Sequence, residues 1–409
     1  MSTPEDLPNP EGPPKKKASG LGPVLLTVLL DLVGFGIVIP LISFYGEAYD
    51  ATEREALLLL GMYSVAQFLF APMWGWLSDR YGRRPIMLMS IAATSIALAG
   101  FATAPNLLML FVWRFAHGAF AANISTAQAY VADVTKPEDR ARGMGLIGAA
   151  FGFGFTLGPF LGGELSVYGL VVPIWFAAGL SAINFLWAFF GLPESRVLGE
   201  KGRGRRAGPA MVVHALSHPV IGLAIGLTFA ATLAFAMMEY TFPLVAEHKW
   251  QLDERSVGRF FGLIGIIGIV IQGGMIRPLV KRFGEGKLIV AGYLLNVAGL
   301  GALAVVMPGV GLPTACALLA TGSSIANPSL QSMISRGAGE DEQGAILGVN
   351  QSLSALARAI APWGALALYT QTHRVGPFLG AGAVMLVALF LAIPATQRAR
   401  RARVADEAA

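Results

Sequence analysis

The sequence predicts an all-α membrane protein, with twelve transmembrane helices in two six-helix bundles related by a pseudo-two-fold repeat. Three observations carry this expectation. The 409 residues are 55% hydrophobic and only 13% charged, about half the charge that clothes a soluble globular chain, so much of the surface must face lipid. Twelve stretches are long and apolar enough to cross a hydrocarbon core about 30 Å thick. They are continuously apolar where barrel strands would alternate, which leaves helices as the spanning element. Finally, the basic residues fall almost entirely on one side of the spans.

The elements follow in order. Residues 1–20 lack the apolar core and small-residue cleavage site of a secretory signal, and their Pro, Glu and Lys content suits a flexible cytoplasmic tail. A first bundle, residues 21–192, holds spans at 21–43, 56–77, 86–104, 107–132, 143–165 and 170–192. Residues 193–218, with the Gly/Arg-rich run GEKGRGRRAG, form a mobile basic linker. A second bundle, residues 219–394, holds spans at 219–246, 257–276, 288–307, 312–334, 345–369 and 375–394. Residues 395–409 close the chain as a second basic tail.

With the N-terminus inside, twenty-three of the thirty Lys and Arg residues lie in the tails and in the connections after even-numbered spans. Basic loops stay cytoplasmic, so both termini are expected there. The net charge of +5 then reflects topology, and nucleic acid is not an expected partner. The single Cys316 can form no intramolecular disulfide and reads as a small packing residue.

The halves echo each other. Asp79-Arg80-Tyr81-Gly82 after span 2 is matched by Lys281-Arg282-Phe283-Gly284 after span 8, and Gly158-Pro159 in span 5 by Ala361-Pro362 in span 11. Two matches at nearly one offset argue for duplicated halves in the same orientation.

After span 2 the chain reads GWLSDRYGRR, residues 75–84. Anchoring by positive charge explains the arginines but not Gly75, Asp79 and Gly82 at this spacing. The loop resembles the signature of the major facilitator superfamily, with Gly75, Leu77, Asp79, Arg80, Gly82, Arg83 and Arg84 all matching. The resemblance implies a gating charge cluster of Asp79, Arg80, Arg83 and Asp133, which stabilises the outward-open state and breaks as the halves rock. Helix capping alone is the alternative.

Span 4 contains LFVWRFAHGAFAA, residues 110–122, where Arg114 interrupts an apolar helix. A charge at membrane depth needs a partner and an inward orientation. The family places an Arg here and links it to proton transfer; His117 is read as packed and neutral, or as a group able to titrate. Span 5 reads GFTLGPFLGG, residues 154–163. Gly154, Gly158, Gly162 and Gly163 permit close helix approach, and Pro159 invites a bend. The full pattern resembles the antiporter motif of the drug/proton branch. With LLDLVGFGIVIP in span 1, YVADVT ending span 4 and Leu192-Pro193-Glu194-Ser195 closing span 6, the first 195 residues look most like tetracycline/proton antiporters and related drug exporters.

Asp31 lies about nine residues into span 1, roughly 14 Å along the helix. A carboxylate at that depth changes charge with its surroundings, which allows proton and substrate to compete for one site. Asp31 is the leading coupling residue, with a structural ion pair to Arg114 as the alternative. Glu239 in span 7 and Arg358 in span 11 complete the proton-coupling set, although Glu239 is expected nearer the outer surface. Candidates to line a substrate cavity are Gln67, Asn123, Gln128, Gln272, Asn296, Asn327, Asn350 and Gln351. Met237, Met238, Tyr240 and Trp363 would supply an adaptable apolar wall.

The function implied is export of an amphipathic small molecule or drug in exchange for protons, the alternative being transport of a physiological solute or lipid by uptake or facilitated passage. The tetracycline exporters' ionisable His and Asp in helices 8 and 9 have no counterpart in spans 8 and 9. No metal cluster, nucleotide-binding loop or catalytic constellation is recognisable, so neither enzyme activity, metal nor cofactor is expected. A monomer surrounded by lipid in a bacterial inner membrane is the expected setting.

Overall fold

The computed structural model describes residues 21–135, 137–195, 209–306, 309–338, 342–371 and 374–408, and every regular element among them is helical. The tail 1–20 and half of the predicted linker, residues 196–208, lie outside the described residues. The first half comprises α1 (Leu21–Val38), α2 (Ile42–Glu47), α3 (Glu53–Tyr81), α4 (Arg83–Ala102), α5 (Leu107–Ala119), α6 (Asn123–Val134), α7 (Pro137–Ser166) and α8 (Val172–Gly191). The second comprises α9 (Pro209–Ser217), α10 (Ile221–Trp250), α11 (Glu254–Val270), α12 (Ile276–Phe283), α13 (Glu285–Val305), α14 (Gly311–Gly337), α15 (Gln343–Gln371) and α16 (Gly376–Ala408). Ten runs among the described residues are long and apolar enough to cross a membrane. The 27 residues of α14 and 29 of α15 stand where spans 10 and 11 are predicted.

The helix ends follow from local chemistry. Thr52 and Glu55 form a reciprocal capping box on α3, which satisfies two orphan N–H groups. Asn106 accepts from Met109 N at α5, and Asp253 from Ser256 N at α11. Between α3 and α4, Gly82 has φ +103°, a conformation that side chains resist.

Several elements depart from expectation. Span 4 is two helices: the chain breaks at Phe120–Ala122, where Ser90 Oγ donates to the Phe120 carbonyl at 2.6 Å and accepts from Ala122 N at 3.0 Å. Helical periodicity cannot reveal a break whose freed polar groups are satisfied by another helix. Span 8 contains a π-helical turn, Ile271–Met275, in the run IQGGM. The end of the predicted linker is the helix α9, and the predicted C-terminal tail continues α16.

Lipid gives helices little hydrophobic reason to associate, so close packing and interhelical hydrogen bonds hold them together. Within the first half α1 packs on α7 and α8, α4 on α8, and α3 on α5; within the second α13 packs on α14 and α16, and α10 on α15 and α16. Asn184 Nδ2 donates to Thr27 O at 3.0 Å, and Tyr293 OH to Leu227 O at 2.8 Å. The halves meet along α7 with α11 and α3 with α15.

That contact is graded along its length. A methyl added at Gly258 would meet Pro159 O and Gly163; Gly262 lies against Phe160 and Gly265 against Thr156. Gly61 lies against Pro362 in the same way. Toward the end that carries Arg80, Arg83, Lys281 and Arg282, Gly148, Gly152 and Gly348 face open space and Gln272–Met275 are exposed. The halves close at one end, called the outer end below, and part toward the basic end.

Candidate functional site

At mid-helix, between the halves, a polar centre forms. Asp31 of α1 is half-buried, and the Asn123 amide faces its carboxyl from the start of α6. Arg114 is 2% exposed. Its guanidinium lies over the rings of Tyr63 (5.0 Å) and Phe35 (5.9 Å), and its Nε and Nη1 have no hydrogen-bond partner. Two aromatic faces thus stabilise a charge whose donors remain free for another group. Asp31 makes no ion pair with Arg114 among the described residues, which removes the simplest structural explanation for both.

His117 is packed edge-on to Tyr63, ring centroids 4.9 Å apart, as the packed reading expects. Its neighbour Gly118 abuts the Tyr63 backbone so closely that a side chain there would collide.

From the second half Glu239 reaches this centre, buried at 4% exposure and within electrostatic range of Arg358 and Arg114. Pro243 lies one turn further along α10. Tyr240 OH and Ser64 Oγ are 2.9 Å apart and bridge the halves. The four predicted coupling residues therefore converge. Tyr63, Phe35 and Ser64 join them without having been singled out, because an aromatic or Ser in an apolar helix carries no distinguishing signal.

The predicted cavity residues divide. Asn123 and Asn350 are buried with unpartnered amide atoms, and Gln67, Gln128 and Gln351 are half-buried. Asn296 instead accepts from Ser323 and joins α13 to α14. Met237 packs against Gly364 and Gly380, and Met238 lies in the core. Gln272 and Asn327 are exposed. Trp363 sits on an exposed stripe with Ile360, Ala367 and Thr370, facing away from the polar centre.

The antiporter-motif residues form a seam. A methyl at Gly158 would lie 2.7 Å from Gly36 Cα and Val33 O; Gly154 abuts Leu32 and Gly162 abuts Ile37 O. Gly163 faces Gly258 across the halves, and Pro159 is buried beside it. This seam fixes α1, and with it Asp31, against α7.

At the basic end Arg83 pairs with Asp79 (Nη2 to Oδ1, 2.8 Å) and Asp133 (Nε to Oδ2, 3.0 Å), and its Nη1 donates to Ser78 Oγ at 2.6 Å. Three of the four predicted cluster members thus come together within the first half, while the halves stand apart at this end. Arg80 turns away, its guanidinium over Trp76 and Tyr81.

Glu194 completes the cluster, accepting from Arg83 N at 3.0 Å and Arg84 N at 3.1 Å. A carboxylate from a distant loop here occupies the positive end of α4. The Leu192-Pro193-Glu194-Ser195 run was the signal, but only the fold reveals the contact.

The outer end is held by ion pairs that span the halves and that the sequence did not suggest. Glu164 accepts from Arg255 Nε (2.9 Å) and Nη2 (2.7 Å) and from Arg259 Nε (2.7 Å). Arg374 pairs with Glu53 at 2.9 Å.

Comparison with known proteins agrees with this architecture. Tetracycline resistance protein, class C, of Escherichia coli is 33% identical over 398 residues, spanning 94% of this chain and 98% of that protein. Multidrug resistance protein 2 of Bacillus subtilis is 27% identical, spanning 90% and 93%. The crystal structure of the human organic anion transporter MFSD10 superposes with a TM-score of 0.71 at 27% identity, covering 93% of this chain and all of that one. Residues 24–362 match the Major Facilitator Superfamily, and the chain belongs to that family of membrane transporters.

Proposed function

We propose that this chain exports an amphipathic small molecule or drug in exchange for protons, by alternating access between two six-helix bundles. The observation that carries the reading is the convergence of Asp31, Arg114, Glu239 and Arg358 at mid-helix between the halves. Removing a charge or polar group from water there is costly, so the carboxyls hold either a proton or a cationic or hydrogen-bonding substrate. Each occupant favours a different opening of the bundles. The relatives named for tetracycline and multidrug resistance support export as the direction.

In this reading the basic end is cytoplasmic, both termini lie inside, and the protein works as a monomer in the bacterial inner membrane. The structure then corresponds to the inward-open state, with Glu164, Arg255 and Arg259 closing the outside. The Asp79–Arg83–Asp133 group acts as a gating cluster that meets the second bundle when the inside closes. The Gly154–Gly163 seam keeps Asp31 in register as the bundles rock. Asn123, Asn350, Gln67, Gln128 and Gln351 line the path of the substrate.

The test is uptake of tetracycline and of a cationic dye into inverted membrane vesicles driven by an imposed proton gradient. Wild type accumulates at least one of them and a protonophore abolishes it. Asp31→Asn and Glu239→Gln lose gradient-driven accumulation. Accumulation that survives both substitutions, or that ignores the gradient, refutes the coupling and favours facilitated passage of a physiological solute.

A second reading, transport of an organic anion, is favoured by one observation: the unpartnered Nε and Nη1 of Arg114 suit a carboxylate or enolate oxygen. Competition between tetracycline and simple aromatic carboxylates in the same vesicles separates the two.

A further inference from the structure

No metal-binding pattern is recognisable along the chain, yet the fold assembles one at the outer end. Glu47 ends α2, and Glu247 and His248 lie in the last turn of α10. One ligand atom from each lies within 4.8 Å of the others. His248 Nδ1 is 3.0 Å from the Leu244 carbonyl, which can only accept, so Nδ1 bears the hydrogen. Nε2, the other ring nitrogen, faces Glu47 Oε1 at 3.6 Å and Glu53 Oε1 at 3.5 Å. A ring nitrogen and carboxylate oxygens from both halves thus converge on one point, where a cation would accept a lone pair from each. An Nδ1–H to carbonyl bond is also the contact that orients metal-bound histidines.

Two further observations bear on the same place. Glu47 Oε1 and Glu247 Oε2 are buried without a hydrogen-bond partner. Tyr369, only 3% exposed, aims an equally unpartnered hydroxyl toward Glu53 and Glu47. Among the described residues Arg374 pairs with Glu53, and no Lys or Arg pairs with Glu47 or Glu247.

We propose that Glu47, Glu247 and His248 bind a divalent cation of the Zn2+ class, with Glu53 and Tyr369 beside it, and that the ion clamps the outer end shut. One imidazole with carboxylates suits Zn2+ better than Mg2+. Ligand distances of about 2.0–2.2 Å require the donors to close to about 3.4 Å from one another, a shift of roughly an ångström or less for mobile glutamates. Glu47 belongs to the first half, and Glu247 and His248 to the second. The site is complete only when the halves meet, so the ion favours that state by its differential affinity. The clamp rests on the proposed transport function; binding of the ion does not.

The test titrates ZnCl2 into purified full-length protein in chelator-treated detergent buffer and follows thermal unfolding, with MgCl2 in parallel. Zn2+ raises Tm in proportion to the logarithm of its concentration, and Mg2+ does not. Glu247→Gln and His248→Gln, checked for an unchanged elution profile and zinc-free Tm, each weaken the apparent affinity at least tenfold. Absence of any Zn2+ response, or an equal response in both variants, overturns the site and leaves His248 as an imidazolium paired with Glu47 and Glu53. X-ray absorption of the zinc-loaded wild type, read for one imidazole in a nitrogen/oxygen shell, keeps the proposal falsifiable should a variant misfold. In proteoliposomes, external Zn2+ slows exchange at least fivefold in wild type and not in Glu247→Gln. Binding without inhibition overturns the clamp. The thermal shift needs no transport, so its failure counts against the site and not against the export reading.

Discussion

Replacing Gly158 by alanine tests the seam that holds α1 against α7. The added Cβ would stand 2.7 Å from Gly36 Cα and Val33 O and 2.8 Å from Gly36 C, all backbone atoms, where ordinary contact begins at 3.4 Å. No rotamer relieves this, so the two helices must separate by about 0.7 Å over their closest turn. Overpacking of this kind costs about 1–3 kcal/mol, offset by about 0.5–1 kcal/mol because alanine suits a helix better than glycine. The net loss is about 0.5–2 kcal/mol.

Gly148 lies on the same helix with nothing within 4 Å, so Gly148→Ala should gain the helix-propensity term alone. The assay is thermal or denaturant unfolding of both variants in one detergent. Gly158→Ala lowers the midpoint and Gly148→Ala leaves it unchanged or raises it. Gly36 is five residues from Asp31, so the displacement should also weaken substrate affinity in Gly158→Ala while leaving expression intact. Shifts of the same sign and size in the two variants would refute the packing argument.

Other outcomes follow from the same geometry. Gly82→Ala must force alanine to φ +103° and push its Cβ into the Glu194 carboxylate, which should cost about 1–3 kcal/mol and show as a lowered unfolding temperature. Glu194→Gln keeps the shape but removes the charge from the α4 N-terminus, and a loss of about 0.5–2 kcal/mol is expected, measurable in the same assay and larger at low salt. Ser256, through its hydroxyl and N–H, holds the Asp253 carboxyl below its ordinary value of 3.8. The cap on α11 is therefore fully present above that value and lost as pH falls through the lowered one. Asp253→Ala should cost about 1 kcal/mol at neutral pH, and its midpoint should approach that of wild type as pH falls through the lowered value. Trp363→Ala and Asn296→Ala should leave substrate affinity unchanged in transport assays, because both side chains face away from the polar centre.

The sequence by itself determined the class of fold and the approximate position of most helices. Low charge and long apolar runs leave no other way to satisfy a backbone in lipid, and Thr52, Asn106 and Asp253 mark helix starts by local hydrogen bonding alone. It also singled out Asp31, Arg114, Glu239 and Arg358, since an ionisable group in an apolar helix is conspicuous whatever surrounds it. The tertiary structure decided everything that depends on juxtaposition. Tyr63 and Phe35 became the bed of Arg114, Glu194 became the cap of α4, and Glu239 joined Arg114 and Arg358 across the halves. The break at Phe120–Ala122 was concealed because Ser90, on another helix, satisfies its backbone. At the outer end, Glu47, Glu247 and His248 are ordinary surface residues in one dimension. They become a group only because α2 and α10 meet there, and no local pattern encodes a meeting between residues two hundred positions apart.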